Sequence, residues 1–169
     1  MADVRRLIVR YIPPLRRYAR ALVGDHGRAD DLVQDCLERA WSRVHLWRPG
    51  TDMRAWLFTI MHNLHANAAR NRARAPALSP LDDDAIALHV RPAQEDGLEI
   101  RGIETALARL PEEQRAVILL VGLEAMTYES AAAVLDIPVG TLMSRLHRGR
   151  ERLRTLMSEA TEPGARKVK

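Results

Sequence analysis

Short hydroxyl and guanidinium side chains recur on one side of a helix predicted near the end of the chain. At 100° per residue, Thr141, Ser144 and Arg148 share one face, with His147 close beside them and Arg145 on the flank. The opposite face is apolar or small and consists of Val139, Leu142, Leu146, Gly149, Leu153 and Leu156. Hydroxyls and arginines bond to base edges and phosphates, so this helix suits a DNA major groove. An ordinary amphipathic helix with a solvated basic face is the alternative.

A second candidate set lies along the helix predicted from Met53 to Arg74. Amide and guanidinium side chains follow one another there at spacings of four, three and four residues: Asn63, Asn67, Arg70 and Arg74, with Asn71 beside them. Amides donate to and accept from base edges, and arginines neutralise phosphate, so the stripe favours contact with nucleic acid. A solvated basic surface is again the alternative.

A third set is acidic and lies in the N-terminal half of the predicted second helix: Asp31, Gln34, Asp35 and Glu38. Acidic side chains near a helix N-terminus interact favourably with the helix dipole, which accounts for their position without any partner. The same patch repels DNA, and it offers a docking surface to a basic or polar protein.

Features that would indicate an enzyme, a metalloprotein or a membrane protein are weak in this sequence. His62 and His65 lie three residues apart, but no third metal ligand accompanies them. Cys36 is the single cysteine, which predicts a small core residue in a reducing cytoplasm. No apolar run reaches the ~18 residues of a membrane span. The sequence therefore predicts a binding protein with no catalytic residues, no cofactor, no metal and no small-molecule substrate.

The elements that must position these residues are predicted to be helices throughout, so the fold class is all-α. We expect helices over Val4–Val23, with a bend at Pro13-Pro14, then over Ala29–Trp47 and Met53–Arg74. Thr51 or Asp52 is the expected N-cap of the third. Further helices are expected over GIETALARL and PEEQRAVILLVGLE. They precede a helix-turn-helix from Thr127 to Arg154 whose turn is Asp136-Ile137-Pro138.

Charge divides the chain into two basic blocks and an acidic one. Residues 1–75 hold 14 basic and 7 acidic side chains, whereas residues 76–105 hold 2 basic and 7 acidic. Three prolines and Asp82-Asp83-Asp84 indicate a flexible acidic linker. We therefore predict two small helical domains, at 1–75 and 99–160, joined by a linker at 76–98 and followed by a disordered tail at 161–169.

The motifs of both predicted domains resemble one family. ADDLVQDCLERAW followed by DMRAWLFTIMHNLHANAARNRAR resembles region 2 of the extracytoplasmic-function (ECF) sigma factors of bacterial RNA polymerase. LARLPEEQRAVILLVGLEAMTYESAAAVLDIPVGTLMSRLHRGRERLR resembles their region 4. The resemblance covers about residues 8–157 in the family's order and spacing. Among the reading positions, His147 replaces a frequent aromatic residue and Met143 a frequent charged one.

The resemblance implies a transcription initiation factor that acts in the cytoplasm, at the nucleoid when active. Its expected partners are promoter DNA, core RNA polymerase (the clamp helices of the largest subunit and the flap of the second largest) and an anti-sigma factor. The acidic set Asp31, Gln34, Asp35 and Glu38 would face the clamp helices. The stripe Asn63, Asn67, Arg70, Asn71 and Arg74 would contact the −10 element, with residues 47–54 sheltering an extruded base. Thr141, Ser144, Arg145, His147 and Arg148 would read the −35 element.

Two other functions stay open from the residues. A stand-alone helix-turn-helix regulator would explain the C-terminal motif, although it leaves the acidic patch and the N-terminal block without a role. A sigma mimic would sequester an anti-sigma factor without touching DNA. Such adaptors usually carry a receiver domain, and the basic stripes have no purpose in them.

Overall fold

The computed structural model describes residues 2–74 and 96–161, with side chains described over 3–74 and 100–159. Helices and turns make up the whole of these ranges, so the all-α prediction is confirmed. Residues 96–98 of the predicted linker are helical. The rest of that linker and residues 162–169 of the predicted tail lie outside the described residues.

The helices form two lobes. The N-terminal lobe contains α1 (Ala2–Arg10), α2 (Ile12–Val23), α3 (His26–Ser42), a 3₁₀ turn (Val44–Leu46) and α4 (Met53–Arg74). The C-terminal lobe contains α5 (Asp96–Ala108), α6 (Glu112–Ile118), a π-turn (Leu119–Leu123), α7 (Tyr128–Leu135) and α8 (Val139–Thr161).

The expected first helix is two helices, which corrects the prediction of one helix bent at the prolines. The break lies at Tyr11, whose N–H bonds to the Ile8 carbonyl at 2.9 Å. Pro13 and Pro14 fall in the first turn of α2. A proline is tolerated there because the N–H that it lacks has no intrahelical acceptor. The chain therefore restarts a helix just before the prolines.

Helix α3 also differs from its prediction, since it begins at His26 and ends at Ser42. Asp25 is its N-cap and accepts from the Arg28 N–H at 2.7 Å. Cys36 is buried in the core, as predicted, and its thiol lies 3.5 Å from the Leu57 carbonyl of α4. Burial raises the pKa of Cys36 to about 12, so the thiol stays protonated at neutral pH.

Helix α4 has the predicted bounds and presents a buried face to the lobe. Its N-cap is Asp52, which accepts from the Arg54 N–H at 2.9 Å. The buried side chains on this face are Met53, Leu57, Phe58, Met61 and His65. Phe58 meets Tyr18 of α2 edge to face, with ring centroids 5.2 Å apart. The opposite side of α4 is thereby held in the solvent.

The predicted helix-turn-helix is present as α7 and α8. Thr127 caps α7 by accepting from the Ser130 N–H at 3.2 Å. Asp136 closes α7 in the left-handed conformation, with φ 53°, and Pro138 directly precedes α8.

Helix α8 crosses α6 closely at Gly149. A Cβ atom at this position would lie 2.8 Å from Ile118 Cδ1 and 3.2 Å from Gln114 Cβ. Leu142, Leu146 and Gly149 are buried against the lobe, as the periodicity predicted. Val139 is an exception because it is 37% exposed in the first turn of the helix.

The two lobes pack against each other in one closed arrangement. Helix α2 contacts α5, α6 and the π-turn, and α4 packs along α7. Two separate domains were predicted, and their contact face was not foreseen. The closed arrangement determines where the candidate site residues lie relative to one another.

Candidate nucleic-acid interface

Helix α8 presents four of its five predicted reading residues as expected for a groove-binding helix. Ser144, His147 and Arg148 are exposed, and Thr141 is half-buried. The Arg148 guanidinium makes one long bond, from Nε to the Ser144 carbonyl at 3.4 Å. These side chains are therefore available to an external ligand.

Arg145, the fifth residue, is engaged within the protein. Its Nη2 lies 3.1 Å from Glu113 Oε2, and its side chain is only 24% exposed. Glu113 belongs to the first turn of α6. This ion pair competes with any contact that Arg145 makes to a base or a phosphate.

Helix α4 presents the predicted asparagine and arginine stripe as one exposed surface. Asn63, Asn67, Arg70, Asn71 and Arg74 are all exposed. Arg70 donates to the Asn67 side-chain oxygen, so two members of the stripe bond to each other. The arrangement offers amide groups towards the middle of the helix and guanidinium groups towards its C-terminal end. Bases and phosphates require these two kinds of group.

Helix α3 presents the acidic set on the outside of the N-terminal lobe. Asp31, Gln34, Asp35 and Glu38 are exposed, and Gln34 donates to Glu38 at 3.1 Å. Neighbouring Asp30 is paired instead with Arg16 and Arg20 of α2, at 3.7 and 3.6 Å. The three carboxylates of this set thus keep their negative potential towards solvent, with the neutral Gln34 amide beside them.

The first turn of α6 joins α4 to α8. Glu112 Oε1 lies 2.8 Å from His65 Nε2 of α4, and adjacent Glu113 pairs with Arg145 of α8. Two consecutive residues of one helical turn therefore contact both candidate DNA-binding helices.

Two histidines of α4 lie at this junction. Burial lowers the pKa of His62 below its usual value, and the nearby His65 and Arg145 lower it further, against the opposing effect of Glu112. Burial also lowers the pKa of His65, although Glu112 partly opposes the shift. Both histidines are thus favoured as neutral side chains in the closed arrangement.

A fully buried carboxylate, Glu124, lies between the lobes and was not predicted. Its side chain is 0% exposed and accepts from Arg17 Nε at 3.0 Å, Arg17 Nη2 at 2.9 Å and Arg54 Nη2 at 2.9 Å. Arg54 Nη2 also donates to the Glu124 main-chain carbonyl. The one available signal in the sequence was an acid at the end of the apolar run VILLVGL.

Arg115, also not predicted as a key residue, closes two helix ends. Its guanidinium donates to the carbonyls of Leu107, Ala108 and Leu110, at and just beyond the end of α5, each at 2.8 Å. It donates to Leu22 at the end of α2 at 2.7 Å. The last carbonyls of a helix lack intrahelical partners and carry partial negative charge, so one cation stabilises both ends.

Comparison with known proteins decides the family. Residues 8–62 match the family model described as the Sigma2 domain of PhyR, and residues 100–153 match Sigma-70, region 4. The ECF RNA polymerase sigma factor EcfG of Rhodopseudomonas palustris is 40% identical over 151 residues, which cover 89% of this chain and 82% of EcfG. The chain belongs to the ECF sigma factors. The resemblance in the motifs is thereby confirmed.

Two further similarities extend over nearly the whole chain of this sigma factor. ECF sigma factor SigL of Mycobacterium tuberculosis is 32% identical, over 94% of this chain and 90% of SigL. The solved structure of the sigma factor RpoE from Bartonella quintana, in complex with the anti-sigma factor NepR, superposes with a TM-score of 0.79. Its identity is 32%, over 94% of this chain and 98% of RpoE.

Membership of the family gives the function in outline: the chain is an alternative sigma factor that directs RNA polymerase to promoters. Its relatives are regulators and not catalysts. Within the described ranges, no group of three or more potential metal ligands comes together. No helix in those ranges has the length and apolar character needed to cross a membrane.

Proposed function

We propose that this sigma factor divides its work among three helices: α3 docks on core polymerase, α8 reads the −35 element, and α4 opens the −10 element. The observation that carries the assignment is the separation of exposed surfaces. Acids occupy the outer face of α3, whereas amides and guanidinium groups occupy α4, and hydroxyls with an exposed guanidinium occupy α8. Each surface lies opposite a packed face that fixes it.

The chemistry of each surface supports its partner. The carboxylates of Asp31, Asp35 and Glu38 repel DNA, and together with Gln34 they suit the clamp helices of the largest polymerase subunit. Asn63, Asn67, Arg70, Asn71 and Arg74 suit an opened strand, where amides bond to unpaired base edges and arginines neutralise phosphate.

Residues 47–54 are the proposed loop that shelters an extruded base. Arg54, at the end of that segment, is engaged by Glu124. The sheltering role therefore falls on the residues before α4, at 47–52.

On the −35 side, Arg148 is the residue on which the proposal depends most. A bidentate arginine contact to guanine discriminates by about 1–3 kcal/mol, which corresponds to roughly 5- to 150-fold. Thr141 and Ser144 complete the reading face, and His147 and Arg145 flank it.

We further propose that the protein works in the cytoplasm, where it takes no catalytic part, and that an anti-sigma factor of the NepR kind binds it. The likeness to RpoE over almost the whole of both chains supports that partner. The flap of the second-largest subunit is the proposed polymerase contact of the C-terminal lobe.

Run-off transcription with core polymerase and a pool of genomic promoters tests the assignment. Arg148→Ala should lower initiation by about 5- to 150-fold on promoters that depend on their −35 element, with core binding unchanged. Arg154→Ala is the matched control, because this exposed arginine of α8 pairs with Glu151 and lies beyond the reading face. Asp35→Lys should instead lose core binding, because Asp35 belongs to the proposed docking surface of α3. Loss of core binding in Arg148→Ala would show that α8 is misassigned.

A further inference from the structure

Arg145 lies at the edge of the proposed reading face, where a helix in the major groove meets the groove wall. At 100° per residue, it is about 60° around the helix axis from exposed Arg148 and about 40° from buried Gly149. A helix with its side chains is about 10–12 Å across, and the major groove is about 12 Å wide. Side chains on the flank of an inserted helix therefore face the phosphates, so a phosphate is the expected DNA partner of Arg145.

Glu113 binds this arginine within the protein. Arg145 Nη2 lies 3.1 Å from Glu113 Oε2, and the Arg145 side chain is only 24% exposed, against 69% for that of Glu113. Within the described ranges, Arg145 is the one member of the five proposed reading residues that pairs with an acid. A carboxylate at this place opposes DNA binding in two ways, because it occupies the guanidinium and it repels phosphate.

Acids in the first turn of a helix need no DNA to explain them. Glu112 and Glu113 both lie in the first turn of α6, where they interact favourably with the helix dipole. The dipole accounts for their negative charge, but it does not account for the contact with Arg145, since it requires no partner. Both members of the pair belong to the C-terminal lobe, so the contact requires no residue of the N-terminal lobe.

The two competing contacts of Arg145 are similar in strength. An exposed ion pair changes an equilibrium by up to about 5-fold, and a partly shielded arginine favours the upper end of that range. One phosphate contact steepens the dependence of log K on log salt by about 0.9, which corresponds to about 8-fold between 1 M and 0.1 M salt. The ion pair with Glu113 is therefore strong enough to cancel most of one phosphate contact.

We propose that Glu113 attenuates the binding of α8 to DNA by withholding Arg145 from the phosphate backbone. This proposal rests on the proposed role of α8 as the helix that reads the −35 element. Because phosphate contacts carry no base information, the attenuation lowers the affinity for every sequence and leaves discrimination among sequences unchanged. Base contacts then supply a larger share of the affinity of α8 for its element.

Fluorescence anisotropy of the full chain with two duplexes of equal length, measured over a series of salt concentrations, tests the proposal. One duplex carries a −35 element recovered in the run-off experiment, and the other is scrambled. Glu113→Gln should tighten binding to both by about 3- to 8-fold at 0.1 M salt, steepen the salt slope by up to about 0.9, and keep the ratio of the two affinities. Glu104→Gln is the matched control, since it removes the same charge from an exposed residue of α5 and should change either affinity by less than about 2-fold.

A double-mutant cycle with Arg145→Met isolates the withheld contact. Methionine keeps the apolar stem of the arginine and removes its charge. In that background, Glu113→Gln should change the affinity by less than about 2-fold, because no guanidinium is left to release. An equal gain there would overturn the proposal and assign the effect to direct repulsion of phosphate by Glu113. An unchanged salt slope, or weaker binding by Glu113→Gln alone, would also overturn it, and weaker binding would make Glu113 a residue that positions Arg145 for DNA.

Arg148→Ala separates failure of the attenuation from failure of the proposed function. If Arg148→Ala weakens binding to the −35 duplex and Glu113→Gln has no effect, α8 reads the element and the attenuation is wrong. If Arg148→Ala leaves the ratio of the two affinities unchanged, the role of α8 fails and the attenuation fails with it. Circular dichroism checks that each variant keeps its helices. Glu113→Asp keeps the charge in the first turn but is one methylene too short for the 3.1 Å contact, so it should repeat the gain and decides the test if the glutamine variant loses helix.

Discussion

Replacing Arg115 with alanine should destabilise the whole chain, because its guanidinium closes helix ends in both lobes. Three of its bonds, each at 2.8 Å, hold the end of α5 and the turn that follows. The fourth, at 2.7 Å, reaches the Leu22 carbonyl at the end of α2 in the other lobe. Alanine removes all four donors and leaves the carbonyls in place.

The magnitude follows from the partners that lose their donor. A hydrogen bond from a charged donor contributes about 1.5–3 kcal/mol, and a buried acceptor left without a partner costs about 1–3 kcal/mol. The contribution per bond is reduced here because Arg115 is half-buried and the Ala108 carbonyl is open to water. We therefore expect the free energy of unfolding to fall by about 3–5 kcal/mol, out of the roughly 5–15 kcal/mol typical of a folded domain.

Lysine at the same position separates charge from geometry. Its ammonium keeps the positive charge, but it cannot match the planar fork that spans four carbonyls, so Arg115→Lys should lose about half as much. Arg109→Ala is the control, because Arg109 is exposed and its Nη1 lies 3.9 Å from Glu159, too far for a strong pair. Its loss should stay below about 1 kcal/mol.

Urea unfolding of the full chain, followed by circular dichroism at 222 nm, measures all three variants. A change of less than about 1 kcal/mol in the free energy of unfolding for Arg115→Ala would contradict the role of its four hydrogen bonds. An Arg115→Lys variant as stable as the parent protein would contradict the role of the planar fork, since charge alone would then account for the effect.

Two other perturbations test the packing and the junction. Gly149→Ala should lower the free energy of unfolding by about 1–2 kcal/mol, because a new Cβ 2.8 Å from Ile118 outweighs the gain in helix propensity. Gly140→Ala in the same helix meets nothing within 4 Å and should raise it by up to about 1 kcal/mol, so equal effects in urea unfolding would contradict the close crossing. Since burial lowers the pKa of His62 and of His65, the unfolded chain binds more protons, and stability should fall as pH drops from about 7.5 to 5.5. The slope is at most about 1.4 kcal/mol per pH unit for each histidine, and a double replacement by glutamine that leaves it unchanged would exclude them as its source.

The sequence predicted what depends on neighbours along one helix. The period of apolar residues predicted α4 over Met53–Arg74 with its true bounds, and the turn before Pro138 predicted the start of α8. The bend at Pro13-Pro14 was placed wrongly because proline fits a first helical turn, which allows a break ahead of it.

Contacts between the lobes escaped prediction for a physical reason. Helical period shows which side of one helix is apolar, but it carries no information on a partner 107 positions away, as Glu124 is from Arg17. An arginine that bonds inside the protein has the same appearance in sequence as one that contacts DNA. Arg54 and Arg145 were both assigned to nucleic acid from their position. In the structure, Arg54 pairs with Glu124 of the other lobe, and Arg145 pairs with Glu113 of α6.

The ion pairs of Glu124 orient the two lobes more than they stabilise the contact between them. The Glu124 carboxylate is fully buried and costly to desolvate. The Arg17 side chain that pairs with it is 53% exposed, so solvent screens much of the attraction. The contact between the lobes is therefore specific in its register and small in its net contribution to the free energy of unfolding.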